Sequence, residues 1–145
     1  MPVATTDHQF GAEIALLART WRAELDRRLN HLGLSQARWL VLLHLARHPQ
    51  APTQSELAAL VGVECATLAR LLDGLEAQQL VRRVTVAEDR RAKRIELLPP
   101  TAALIERIEA IATELRGEIL ADIDDEELRV CQRVHARMLA NLERR

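Results

Sequence analysis

Aromatic side chains are nearly absent: Phe10, Trp21 and Trp39 are the only ones in 145 residues, and there is no tyrosine. Modules that hold single-stranded DNA or RNA stack bases on aromatic platforms, so this scarcity turns any nucleic-acid reading toward a duplex. Cysteine is as sparse. Cys65 and Cys131 cannot make a disulfide framework. Glycine occurs five times, and no phosphate-cradling glycine loop, no G-x-S-x-G and no cysteine–histidine neighbourhood is found. These absences speak against an enzyme, and no cofactor is expected. No apolar run approaches the ~20 residues of a membrane-spanning helix, so no membrane partner is expected. The opening Met1-Pro2-Val3-Ala4-Thr5-Thr6-Asp7 lacks the basic start and apolar block of a secretory signal, which points to the cytoplasm.

What is present is a folded chain of one domain's length. Hydrophobic residues make up 48% and charged residues 28%, the balance of a soluble globular protein rather than a disordered one. The net charge is −1, yet its distribution is uneven. From Arg82 to Arg94 six basic residues (Arg82, Arg83, Arg90, Arg91, Lys93, Arg94) stand against Glu88 and Asp89, whereas Glu118 to Glu127 holds six acidic residues and no basic one. Local field, not total charge, decides where a polyanion lands.

The apolar spacing predicts a mainly α-helical chain with one hairpin. Ile14, Leu17, Trp21, Leu25 and Leu29 share a face of a first helix, from about Gly11 to His31, that Gly33 ends. Ser35 caps a second, central helix from Gln36 to Arg47. Thr53-Gln54-Ser55-Glu56 reads as a capping box opening a short helix that stops at Gly62. The next helix, about Glu64 to Gln78, turns Leu68, Leu71, Leu72 and Leu75 inward. Val81 to Val86 changes to a two-residue period, and Lys93 to Leu98 repeats it, which leaves Glu88 to Lys93 as a hairpin tip. Two long amphipathic helices follow, about Thr101 to Leu120 and then one from a box-like Asp124/Glu127 start. The second carries Leu128, Cys131, Val134, Met138 and Leu142, with Cys131 expected in the core.

Two short helices joined at a glycine and followed by a basic hairpin form a winged helix-turn-helix, here residues 35–99. Residues 8–34 and 100–145 are then long flanking helices. Either these rods fold back on the same core or they interlock with a second copy. The second alternative also suits a duplex, because a dimer presents two reading helices about 34 Å apart. The exposed start of the reading helix offers Glu64, Cys65, Ala66 and Thr67, with Arg70 a turn later. Arg70 is the best base reader, since a guanidinium can bind guanine bidentately. Thr67 can donate to a phosphate or a base edge, and Cys65 and Ala66 suit a thymine methyl. Arg90 or Arg91 is expected in a flanking minor groove, with Lys93 and Arg82 on phosphates.

Ala58 and Gly62 with apolar Leu57, Val61, Val63, Leu68 and Leu71, together with the wing Asp89 to Leu97, resemble the MarR family. Trp21 to Leu29, Leu34-Ser35-Gln36 with Trp39, Gly117 to Ala121, and Glu126-Glu127-Leu128 are similar to its SlyA branch. The resemblance spans nearly the whole chain. It implies a homodimeric cytoplasmic transcription regulator that binds pseudopalindromic promoter sites on double-stranded DNA. It also implies that Asp89 braces a wing arginine. After the second wing strand the family continues Leu-Thr-x-Lys-Gly, whereas this chain has Leu98-Pro99-Pro100-Thr101.

The family often binds small aromatic acids as effectors. Arg19, Trp21, Arg22, Arg38 and Trp39 could wall such a pocket with flat apolar surfaces and cations. The plainer alternative makes both tryptophans core and the arginines solvated. His44 and His48 lie four apart but lack a third ligand, so no metal site is expected. Cys65 stands beside Glu64, which opposes a thiolate, and no resolving cysteine is near in sequence. A small residue on a DNA-facing surface explains it better than redox sensing. A third class, a winged helix that binds protein instead of DNA, would not need Arg70 beside a basic wing.

Overall fold

The computed structural model describes residues 4–144. In chain order these form α1 (Ala4–Leu29), a 3-10 turn (Asn30–Leu32), α2 (Gln36–Arg47), α3 (Gln54–Val61) and α4 (Cys65–Ala77). The strands β1 (Val81–Val86) and β2 (Asp89–Leu97) come next, then α5 (Thr101–Ile119) and α6 (Asp125–Glu143). The chain divides into two compact units, Met1–Ala112 and Thr113–Arg145.

Helix ends follow local chemistry. The Ser35 hydroxyl accepts from the Arg38 amide, and the Thr53 hydroxyl accepts from the Glu56 amide. The box expected at Thr53 is half made: the return bond from the Glu56 carboxylate is not among the described hydrogen bonds. At α6 both halves form, between Asp124 and Glu127. Gly33 and Gly62 close their helices at φ of 72° and 82°, a left-handed conformation that a Cβ disfavours. α4 ends without glycine. Gln79 takes the left-handed position at φ 62°, and Leu80 N donates to the Leu75 carbonyl.

In the first unit the core is built on α2, as its crowded apolar positions require. Trp39, Val41, Leu42, Leu43 and Leu45 are buried there. They meet Leu57 and Ala58 of α3, Leu68, Leu72 and Leu75 of α4, and Val81 and Ile95 of the hairpin within the same buried set. The Trp39 indole Nε1–H donates to Asp26 Oδ1 of α1 at 3.2 Å, so this tryptophan is core with its polar end satisfied. Along α1 burial fades toward the N-terminus: Leu29 and Leu25 are buried, Trp21 is half-buried, and Leu17 and Ile14 are exposed.

β1 and β2 pair antiparallel, from Val81 opposite Leu97 to Thr85 opposite Lys93. Val86 then pairs with Asp89, so Arg90, Arg91 and Ala92 bulge out of the ladder. The second strand therefore starts at Asp89 rather than at Lys93, and the turn is Ala87-Glu88. Two ties hold the hairpin root. Ile95 N donates to the Pro52 carbonyl, and Arg94 Nη1 to the Ala51 carbonyl, fastening β2 to the loop before α3. The Thr101 hydroxyl, fully buried, donates to the Leu80 carbonyl at 2.7 Å, which gives the Pro99-Pro100-Thr101 junction its anchor.

The second unit comprises the end of α5 and all of α6. Cys131 is exposed, which corrects its placement in a core. Its stripe is apolar, but Val130, Val134, Leu139 and Leu142 beside it on α6 are exposed as well. A periodic stripe reports an apolar face, not whether that face is covered.

Gly74 in the interior of α4 has a specific neighbour. A Cβ there would lie 2.2 Å from Nη2 of Arg38, whose Nη1 donates to Gln78 Oε1 at 3.1 Å. The guanidinium thus lies over the glycine and ties α2 to the C-terminal end of α4. Alanine normally stabilises a helix interior by about 0.8–1 kcal/mol over glycine. Urea melts should show that gain for Gly74→Ala in an Arg38→Ala background and lose most of it in the native one. Equal gains in both backgrounds would mean that the flexible Arg38 guanidinium moves aside without cost.

His44 is the other internal group with a consequence. Burial lowers its pKa below 6.5, and the nearby cations Arg47, His48 and Arg22 add to the effect. The unfolded chain then binds the proton more readily, so stability is full above about pH 6.5 and is lost as pH falls below it. Melting curves between about pH 7 and 5 should fall less steeply for His44→Gln. An unchanged slope would assign the acid sensitivity elsewhere.

Candidate nucleic-acid interface

α3 and α4 meet at Gly62, and α4 presents its first turn to solvent. Its buried row leaves Glu64, Cys65, Ala66 and Arg70 exposed and Thr67 half-buried. Arg70 makes no intramolecular hydrogen bond or ion pair among the described residues. Its guanidinium is free to reach an external acceptor.

The wing sits beside this surface. A cleft of about 470 Å³ is lined by Thr53, Gln54 and Ser55 at the start of α3, by Cys65 at the start of α4, and by Asp89, Arg91, Ala92 and Lys93 of β2. Four residues expected at the interface from sequence (Cys65, Asp89, Arg91 and Lys93) therefore share one groove. Gln54 and Ser55 were not expected there. The signal was available in the Thr53 cap, which places the first turn of α3 and its free amides at this spot.

Asp89 Oδ1 accepts from the Arg91 backbone amide at 3.0 Å, a contact with the chain and not with an arginine side chain. This short loop bond shapes the bulge, as aspartate commonly does two residues before the bonded amide. Arg90 and Arg91 are exposed on that bulge with no side-chain partner among the described residues. Lys93 is exposed and donates to the Thr85 hydroxyl at 2.9 Å.

The six-cation cluster is less uniform than its sequence suggests. Arg82 pairs with Glu96 across the hairpin at 2.8 Å. Arg83 pairs with Asp73 and Glu76 of α4, and Arg94 is turned to Ala51. Uncommitted positive charge is thus concentrated at Arg90 and Arg91, flanked by Lys93. Arg82, exposed, keeps its charge near the surface but shares it with a carboxylate.

The five residues suggested as effector walls are not gathered in the same way. Trp39 is buried against Asp26 and Arg38 is engaged with Gln78 over Gly74. Trp21 is half-buried, and Arg19 and Arg22 are exposed on α1. Among the described residues no group of three or more histidine, cysteine, aspartate or glutamate side chains could hold a metal ion. His48 Nδ1 instead lies 2.6 Å from the His44 carbonyl. No described helix is long and apolar enough to cross a membrane.

Known proteins share this fold. The chain superposes on the crystal structure of the transcriptional regulator PA3341 with a TM-score of 0.89 at 65% identity, covering 94% of this chain and 99% of that one. A MarR-family transcriptional regulator from Silicibacter pomeroyi gives 0.84 at 26% identity, over 97% and 96%. A complex of S. aureus MepR with DNA gives 0.81 at 22% identity, over 91% and 97%, a likeness of fold. Residues 32–92 match the MarR family itself. With its winged helix-turn-helix and these relatives, the chain belongs to the MarR family of transcriptional regulators.

Proposed function

We propose that this chain is a homodimeric, cytoplasmic regulator that binds pseudopalindromic promoter sites in double-stranded DNA. In this reading α4 enters the major groove, Arg70 reads a guanine, and Thr67 donates to a neighbouring phosphate or base edge. Arg91, with Arg90, enters the adjoining minor groove, while Lys93 and Arg82 hold phosphates. Glu64, Cys65 and Ala66 face the groove wall. The observation that carries the reading is the shared groove: free cations on the wing bulge lie beside the exposed start of α4. The fold of the MepR–DNA complex supports the same use of these elements.

Dimerisation is supported by exposed apolar residues on both flanking helices. Phe10, Ile14, Leu16 and Leu17 lie uncovered on α1, and Leu139 and Leu142 on α6 are 60% and 61% exposed. Apolar stripes of this kind are covered in a stable protein. Kinship to the SlyA branch rests on the flanking-helix residues quoted from the sequence. Release by a small aromatic acid has less support, because Arg38 and Trp39 already have intramolecular partners. Salicylate that leaves both DNA affinity and melting temperature unchanged would remove it from the reading.

Fluorescence anisotropy with the chain's own promoter region tests the DNA-binding role. Arg70→Ala should cost about 1–3 kcal/mol and relax preference at one base position. Arg91→Ala should weaken binding broadly and reduce the steepness of its salt dependence. Equal loss on specific and random DNA would refute base reading by Arg70. A nearly flat response to salt would remove the wing from the interface.

A further inference from the structure

We propose that Arg83 is a positioning residue that locks the wing to the reading helix, and that it acts in DNA recognition without touching DNA. The inference rests on the DNA-binding reading above and assigns a different role to one of its cations.

By sequence Arg83 belongs to the basic cluster. By geometry its charge is already spent inside the protein. Nη2 donates to the Ala69 carbonyl at 2.7 Å. Nη1 lies 2.9 Å from Asp73 Oδ1 and 3.0 Å from Glu76 Oε1. The side chain is 23% exposed, and its Nε is buried without a hydrogen-bond partner. A guanidinium bound this way has little left to offer a phosphate.

The three acceptors are what make the contact informative. Ala69, Asp73 and Glu76 follow one another at steps of four and three, so they form one line along two turns of α4. Each directly follows a buried leucine: Leu68, Leu72 and Leu75. Leucine packing holds the helix against the core but is non-directional, so it resists rolling about the helix axis weakly. The hydrogen bond from the planar fork to the Ala69 carbonyl is directional and resists that roll, and the ion pairs to Asp73 and Glu76 hold the fork in line with it. Ala69 immediately precedes Arg70. A rotation of α4 that carried Arg70 off its base would have to break the Arg83 contacts.

The other end of the lock is the wing. Arg83 lies on β1, three residues before the strand ends at Val86. The β2 strand is tied separately, through Ile95 and Arg94 to the loop before α3. Among the described residues, only the Arg83 contacts join the hairpin to α4 by charge and hydrogen bonds. They therefore set the distance between the groove-reading side chain and the wing arginines.

The test compares the wild-type chain with Arg83→Gln, Arg83→Lys and the double variant Asp73→Asn/Glu76→Gln. Each is titrated with its operator and with a random duplex of equal length over a range of salt, and circular dichroism gives each melting temperature. Arg83→Gln should lose about 10-fold in operator affinity with under about 3-fold loss on the random duplex, and its salt slope should stay unchanged. Arg83→Lys, which keeps a charge but not the fork, should fall between. The double variant removes two negative charges from a helix facing a polyanion. Simple electrostatics predicts tighter binding, whereas the lock predicts a lower preference for operator over random DNA.

Parallel losses on both duplexes with a salt slope smaller by about one would make Arg83 a phosphate contact and overturn the proposal. A lowered melting temperature with an unchanged operator preference would make it merely structural and also overturn it. Should Arg83→Gln fail to fold, Arg83→Lys and the carboxamide pair still decide the matter. A wild-type chain that binds no duplex defeats the DNA-binding reading before any variant is made, and this inference with it.

Discussion

Burial of Leu68, Leu72 and Leu75 along one side of α4 is the interaction on which the reading lobe depends. Each leucine taken fully out of water contributes roughly 1.5–3 kcal/mol, so the row fixes which side of the helix faces the core. The opposite side is then exposed by necessity and carries Ala66 and Arg70, while Glu64 and Cys65 are exposed at the helix start, ahead of the leucine row. Directional contacts refine what burial sets coarsely. Arg38 lies across Gly74 from α2, and Arg83 clasps the line Ala69, Asp73 and Glu76 from β1. One helix is thus held from two elements while its first turn remains free.

Electrostatics in this lobe is selective. Of the cations on the hairpin, those near its root are committed to Glu96, to two α4 carboxylates, or to the Ala51 carbonyl. Those on the bulge are not. The protein therefore carries a near-zero net charge and still presents a local positive point where the proposed minor-groove contact lies. Asp89 takes part by shaping the bulge through the Arg91 amide instead of neutralising its guanidinium.

Much of this was legible in the sequence because it is set by local chemistry. The bounds of α2 follow from Ser35, those of α3 from Thr53 and Gly62, and β1 from its two-residue alternation. Other features escaped for physical reasons. The three-residue bulge interrupts alternation, so β2 looked shorter than it is. Cys131 looked internal because periodicity reports an apolar face and is silent on whether the same chain covers it. Arg38 and Arg83 find partners 40 and 14 residues away, contacts that no spacing rule encodes. Counting cations therefore pointed to the wing but overcounted the charges left free there.

The flanking helices bring the remaining requirement. Uncovered apolar side chains on α1 and α6 call for a second surface, and a second copy would deliver two reading helices related by a two-fold axis. The most direct measurement is selection of bound duplexes from a random pool, followed by sequencing. Enrichment of an inverted repeat whose half-sites are centred about one helical turn apart, 10–10.5 base pairs, is the expected result. A direct repeat, a single half-site, or no enrichment over the starting pool would contradict a two-fold pair of α4 helices as the reading device.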